Sequence, residues 1–417
     1  MLTPISSPEL LAVSFIFPPT ATARSVQVAR LLKHLHLNTT LVCADERGVA
    51  RDPTIEPDAE ANLRDCLRVP FSVNGWRRQA KRIASRFGLP LWNRVPDEYS
   101  WWQRRALNAI RERARKNNYR PDLIVSFAQP MSDHLIGLQL KKIYGVPWLA
   151  HFSDPWVDNP FNRYDSLTGR INLSLERKVI EAADRVIFTS GETVDLVMAK
   201  YPAAWRMKAR VLPHSFDPSM SPVVPNEKPL TMTVRHTGEF YGPRTPKPLF
   251  KTLRAIISEG LVSLDGVCFE LIGDIDPTAL ADSRIEDLPS GLVRLRPPVS
   301  YLESCSLAAA AHGLLIVDAP ATKSVFLPSK LIEYVGAGRP ILGITPPGAA
   351  ANLIGELGGW VADPSDDVAM KKALAEFLSC LHNAAQSETW GNPEVRRRYE
   401  APVVSKSFEM MLRELLT

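Results

Sequence analysis

The run Pro328-Ser329-Lys330-Leu331-Ile332-Glu333-Tyr334-Val335-Gly336-Ala337-Gly338-Arg339-Pro340 sets a hydroxyl, a cation and a carboxylate at helical spacing. Pro then Ser reads as a helix start, Leu331, Ile332 and Val335 form an inward apolar stripe, and Gly336 and Gly338 end the helix before Pro340. A helix start offers unused backbone N–H groups and a positive dipole end. Lys330 in the first turn adds a full charge, which suits a phosphate. Glu333 sits one turn further in.

A second candidate lies upstream in Thr237-Gly238-Glu239-Phe240-Tyr241-Gly242-Pro243-Arg244-Thr245-Pro246. Gly242 permits close backbone approach, and the fork of Arg244 can chelate two phosphate oxygens, a geometry that lysine cannot copy. A third is His151-Phe152-Ser153-Asp154-Pro155-Trp156. Here Asp154 can accept a hydrogen bond from a hydroxyl or orient it. The same run also reads as an ordinary Asp-Pro turn with Trp156 packed over it.

The elements that must position these residues alternate between short apolar runs and helical patterns. Residues 10–17, 40–43, 121–127, 147–151 and 185–189 read as strands, with helices at 103–116, 131–144 and 167–183 between them. Val28, Leu31, Leu32 and Leu35 mark a helix after the first strand. The turn into that helix carries Thr20 and Thr22. Residues 218–229 hold four prolines and few apolar side chains and read as a linker. A second block follows, with strands at 231–236, 267–272, 292–295, 314–317 and 341–344 and helices at 247–257, 301–311, 348–357, 368–381 and 408–416. In such parallel sheets ligands bind at the carboxyl ends of the strands, and the His151–Trp156 run lies just past one.

At 417 residues with 45% hydrophobic composition, the chain is long enough for two cores. Five dispersed cysteines without CxxC spacing argue against a zinc site or a disulfide framework and point to a reducing cytosol. No signal-peptide pattern opens the chain, and no apolar run approaches the roughly 20 residues that a spanning helix needs. Histidines are scattered without HExxH, and no Walker A run or GxSxG elbow is present, which removes metal, P-loop and serine-hydrolase readings. The net charge of +5 is unevenly placed. Residues 76–102 interleave Arg77, Arg78, Lys81, Arg82, Arg86 and Arg94 with Trp76, Phe87, Trp92, Trp101 and Trp102. That composition fits peripheral contact with a membrane as well as a solvated surface. Nucleic acid is not expected, because no recognition motif accompanies the charge.

The 328–340 run resembles the signature of retaining glycosyltransferases of the GT-B fold, close to glycosyltransferase family 4. The His151–Trp156 run, the Val211-Leu212-Pro213-His214-Ser215-Phe216-Asp217 turn and Gly359-Trp360-Val361-Ala362-Asp363-Pro364 are similar to family elements too. The resemblance implies an α/β protein of two Rossmann-like, doubly wound domains facing each other across a cleft. These would be residues 1–217 for the acceptor and 230–399 for a nucleotide-diphosphate sugar, with a final helix over 400–417 crossing back. It implies that Glu333 grips the ribose hydroxyls and that Arg244, Lys330, Gly242 and Ser329 hold the donor diphosphate. Asp154 and His151 would serve catalysis, His151 by contacting the donor sugar or its phosphate. It further implies transfer with retention, no required metal or other cofactor, a glycan or lipid-linked acceptor in cell-surface polysaccharide synthesis, and a cytoplasmic place at the inner face of the membrane. Many members carry a second glutamate eight residues before the first, where this chain has Val325. A UDP-sugar 2-epimerase-like enzyme and a non-catalytic GT-B protein that binds a nucleotide or a partner glycosyltransferase remain as alternatives.

Overall fold

Fully apolar strands must be covered on both faces, and this chain builds two parallel sheets to do so. The computed structural model describes residues 7–46, 51–56, 58–71, 95–160, 167–220, 231–240, 242–383 and 389–417. The chain divides into a first unit, Met1–Pro213 with Val404–Thr417, and a second, His214–Val403.

The first unit holds β1 (Glu9–Val13), β2 (Asn38–Glu46), β3 (Leu63–Phe71), β4 (Leu123–Phe127), β5 (Trp148–His151), β6 (Arg185–Phe188) and β7 (Ala209–Val211). Their spatial order is β3-β2-β1-β4-β5-β6-β7, and every pairing is parallel. Helices α1 (Ala23–Lys33), α2 (Ser100–Asn117), α3 (Ser132–Tyr144), α4 (Leu167–Ala182) and α5 (Gly191–Met198) connect them. Alternate residues of each strand feed two cores. Leu11, Val13, Ile124 and Ala150 pack on one face, and Leu10, Ala12, Leu123, Val125 and Leu149 on the other. A helix at Ala401–Arg413 fills that second face with Val404, Phe408 and Leu412, and Ser405 Oγ donates to the Arg30 carbonyl at 3.1 Å.

The second unit holds β8 (Met232–Thr237), β9 (Val267–Ile272), β10 (Val293–Arg296), β11 (Gly313–Val317), β12 (Ile341–Ile344) and β13 (Trp360–Ala362). Their order is β10-β9-β8-β11-β12-β13, again all parallel. Both sheets reverse direction of winding after their third strand, at β1/β4 and β8/β11. Those are the switch points where a doubly wound sheet opens a crevice at its carboxyl edge. Each unit is therefore Rossmann-like, as the GT-B fold requires.

Three differences from the sequence reading have physical causes. The first strand stops at Val13, because the Phe15 N–H turns to the Asp133 carboxylate at 2.6 Å and Ser14 Oγ donates to the Ile16 carbonyl. The final helix begins at Ala401, earlier than the 408–416 pattern and within the 400–417 span, with Pro402 in its first turn, where a missing N–H costs nothing. Strand β3 has no counterpart in the sequence reading. It is an edge strand, with Arg64, Arg68 and Pro70 exposed on its open side.

Most of the expected linker, residues 221–229, and most of the basic aromatic stretch, residues 76–94, lie outside the described residues. Of the tryptophans after that stretch, Trp101 is exposed, whereas Trp102 is fully buried and donates from Nε1 to Asp133 at 2.7 Å. Trp102 therefore serves the core and not a membrane face. Among the described residues, no helix is long and apolar enough to cross a membrane.

Candidate active site

The helix Ser329–Ala337 begins after Pro328 with no side chain capping its first turn and ends on Gly338 in the left-handed conformation. Leu331, Ile332, Tyr334 and Val335 are buried, which fixes the face turned outward. Lys330 and Glu333, three residues apart, share a side of the helix. A buried tether aims the helix start: the Thr237 N–H at the end of β8 donates to Tyr334 Oη at 2.7 Å.

Lys330 runs back along β8. Its Nζ lies 3.0 Å from His236 Nε2, and the ring of His236 is fully buried, stacked 4.4 Å from Phe240. Gly238 makes room for this lysine. With φ at +126°, it occupies a backbone region that side chains avoid, and a Cβ there would stand 2.6 Å from Lys330 Nζ. Dehydration of the ammonium, and after it the guanidinium of Arg244, pull the Lys330 pKa down to about 7, against the opposing pull of Glu239 and Asp318. Burial, then the charge of Lys330, pushes His236 well below the usual histidine range.

Arg244 reaches the same place from the loop after β8. Its Nε donates at 3.2 Å to Asp318, the residue directly after β11. Asp318 also accepts from Ser324 Oγ at 2.5 Å and from the Ala319 N–H at 2.8 Å. The switch point of the second sheet thus gathers Arg244, Lys330 and an uncapped helix start, with Ser329 as the first helical residue. Gly242 is exposed, and a Cβ on it would meet nothing within 4 Å, although its φ is +57°. Val325 is buried, 6% exposed, in the apolar stretch before the helix.

In the first unit, β5 delivers His151 and Asp154 to the carboxyl edge. The loop between them and α4 is firmly held. Thr189 Oγ1 donates to the Ser153 carbonyl, Trp156 Nε1 to Asn172 Oδ1 at 3.1 Å, and the Val157 N–H to Glu176 at 2.9 Å. Trp156 is 2% exposed and belongs to the core, which agrees with the packing reading of that residue. Asp154 is half-buried and accepts from Gln129 Nε2 at 3.4 Å. His151 is 1% exposed, lies between Phe127 and Phe408, and has Nδ1 3.2 Å from Nη2 of Arg24.

Sequence reasoning overlooked His236, Gly238, Asp318 and Arg24. The first three stand at the ends of β8 and β11, and a search confined to charged residues at strand ends would have found Asp318. Arg24 interrupts the turn between β1 and an apolar helix face, which is its only mark in the sequence.

Two doubly wound units of this topology define the GT-B architecture. Residues 21–213 match the model of a family described as a glycosyl transferase 4-like domain, and the whole chain shares its fold with solved GT-B structures. The structure is similar to sucrose-phosphate synthase from Thermosynechococcus elongatus, with 17% identity, a TM-score of 0.65 and coverage of 98% of this chain and 99% of that one. It is similar to Anabaena HepE in complex with UDP, with 14% identity, a TM-score of 0.60 and coverage of 98% and 100%. It is also similar to a putative UDP-N-acetylglucosamine 2-epimerase from Listeria monocytogenes, with 10% identity, a TM-score of 0.55 and coverage of 97% and 95%. No curated protein matches the sequence.

Proposed function

We propose that this protein transfers a sugar from a nucleotide-diphosphate sugar to a glycan or lipid-linked acceptor with retention of anomeric configuration, in cell-surface polysaccharide synthesis. The observation that carries the reading is the meeting of Arg244, Lys330 and the uncapped helix start at the β8/β11 switch point. In such a site the departing diphosphate gains negative charge as the C1–O bond breaks, and these three donors stabilise it without requiring a metal. Gly242 and Ser329 would supply backbone and hydroxyl contacts, and Glu333 would accept from the ribose hydroxyls. The acceptor oxygen would bond to C1 on the face that the diphosphate leaves, and its proton would pass to the departing phosphate oxygen. Asp154 would orient the acceptor hydroxyl. Support for the donor class comes from HepE, solved with UDP and also with UDP and glucose.

Thermal unfolding with UDP, GDP, ADP, TDP and CMP tests the donor site, on wild type and Glu333→Ala, in EDTA and then with Mg²⁺. A nucleotide at about 100 times its dissociation constant adds roughly 2.7 kcal/mol. One diphosphate should raise the midpoint in EDTA, and much less in the variant. No shift with any nucleotide under either condition would sink the reading. Proton NMR of the product made from the matching donor then reads the anomeric configuration. Vesicle co-sedimentation, with and without anionic lipid, tests the membrane contact assigned to residues 76–102.

A further inference from the structure

Arg24 is the second residue of α1 and only 8% exposed, yet its bonds are few and long. Nη1 donates to Gln27 Oε1 at 3.4 Å, Nη2 to the His151 carbonyl at 3.4 Å, and Nη2 also faces His151 Nδ1 at 3.2 Å. Its Nε has no hydrogen-bond partner. The guanidinium carbon lies 5.7 Å from the Phe127 ring centroid. Among the described residues, no carboxylate comes within salt-bridge distance of it. Asp154 and Asp133 act on it only through their fields, which offset part of the burial that lowers its pKa to about 10. A guanidinium never gives up its charge at neutral pH, and a charge buried without a counter-charge is costly. The other buried arginines are paired: Arg30 with Glu56 at 2.7 Å and Arg235 with Glu270 at 2.7 Å.

The surroundings are those of an anion site. Thr22 caps α1 by accepting from the Ser25 N–H, and the helical ladder starts with the Val26 N–H to the Thr22 carbonyl. The N–H groups of Ala23 and Arg24 therefore have no helical acceptor, and they sit at the positive end of an eleven-residue helix. This helix start follows β1, which borders the β1/β4 switch point, and Arg24 reaches across to the end of β5. His151 Nδ1 accepts from the guanidinium, so His151 holds Arg24 in place.

We propose that Arg24 and the first turn of α1 form an anion subsite in the first unit that takes a phosphate ester carried by the acceptor. The assignment to the acceptor rests on the glycosyl-transfer reading, whereas the anion site itself does not. Among oxyanions, a phosphate ester offers enough peripheral oxygens to meet a guanidinium edge and backbone N–H groups together. A carboxylate's two oxygens lie in one plane, so it matches the guanidinium edge but turns no further oxygen toward N–H groups outside that plane.

The test uses the full chain and inorganic phosphate, with chloride replaced at constant ionic strength, and follows the unfolding midpoint. Wild type and Lys330→Met should rise by a few degrees at phosphate about a hundredfold above its dissociation constant. Arg24→Gln should lose the rise in the Lys330→Met background, where the donor site has lost its lysine. In chloride alone it should be at least as stable as wild type, because an unpaired buried charge has gone. A phosphate response that survives Arg24→Gln undiminished would overturn the proposal. Should that variant fail to fold, Arg24→Lys keeps the charge but not the fork, and an unchanged phosphate affinity there overturns it as well. Methyl phosphate and dimethyl phosphate separate a monoester from the diester of a lipid-linked acceptor. Acetate binding as tightly as methyl phosphate would overturn the phosphate assignment. A UDP response absent while the Arg24-dependent phosphate response persists removes the donor reading and leaves this site. The opposite pattern removes this site and leaves the donor reading.

Discussion

Lys330 Nζ lies 3.0 Å from His236 Nε2, while His236 Nδ1 lies 2.9 Å from the Leu315 carbonyl. A carbonyl can only accept, so Nδ1 carries the ring proton and Nε2 must accept from Lys330. The lysine is therefore held by a neutral partner that anchors it without cancelling its charge. An ion pair with a carboxylate would have left less for a phosphate.

This arrangement sets a pH dependence. The unfolded chain keeps the Lys330 proton up to the ordinary value of 10.5, and the empty folded protein releases it near 7. Below pH 7 both states are protonated and the cost of the buried charge is fully present. It is relieved as pH rises from about 7 toward 10.5, so this contribution to stability increases over that window. Lys330→Met should flatten that part of the profile. At pH 8, UDP should draw close to one proton onto the protein, measured calorimetrically in buffers of different ionisation enthalpy. No uptake by wild type, or equal uptake by Lys330→Met, would contradict the assignment.

Gly238 and Gly242 give a matched pair. Gly238→Ala should cost about 1–3 kcal/mol in strain and displace Lys330, weakening UDP binding tenfold or more. Gly242→Ala should cost about 1–2 kcal/mol for its left-handed backbone, with no clash around the new methyl. Equal UDP affinities in the two variants would show that the Gly238 contact does not position the lysine.

Arg244 and Asp318 should behave as a coupled pair. A double-mutant cycle with Arg244→Gln and Asp318→Asn, read by urea unfolding, should give a coupling of about 1–3 kcal/mol. Additive effects would mean that the 3.2 Å contact contributes nothing in solution.

Tyr334→Phe should cost about 1–3 kcal/mol, because the buried Thr237 N–H loses its acceptor. A change below about 0.5 kcal/mol, within the range of ordinary surface substitutions, would show that the tether is dispensable.

The sequence made the sheet interiors legible because β4, β9 and β12 are mostly apolar runs, interrupted only by Ser126, Glu270 and Gly343, and the structure places them at Leu123–Phe127, Val267–Ile272 and Ile341–Ile344. Strand β3 stayed hidden because Arg64, Asp65 and Arg68 give it the composition of a surface turn. In the second unit, Lys330 and Arg244 could be read from charge and spacing near glycines. His236 could not, because it is 94 residues from Lys330 and only strand pairing brings them together. Arg24 and His151 are 127 residues apart and were equally out of reach of any local pattern.

The helix Ala401–Arg413 emerges from the ribosome only after the entire second unit, yet it supplies Val404, Phe408 and Leu412 to the first unit's core. During synthesis, the first sheet must wait with an apolar trough beside Leu31, Leu32 and Leu149, while the other unit can fold around complete cores of its own. Nascent chains stalled near residue 400 should therefore bind chaperone through their first half, and completion of the last helix is the event that releases them.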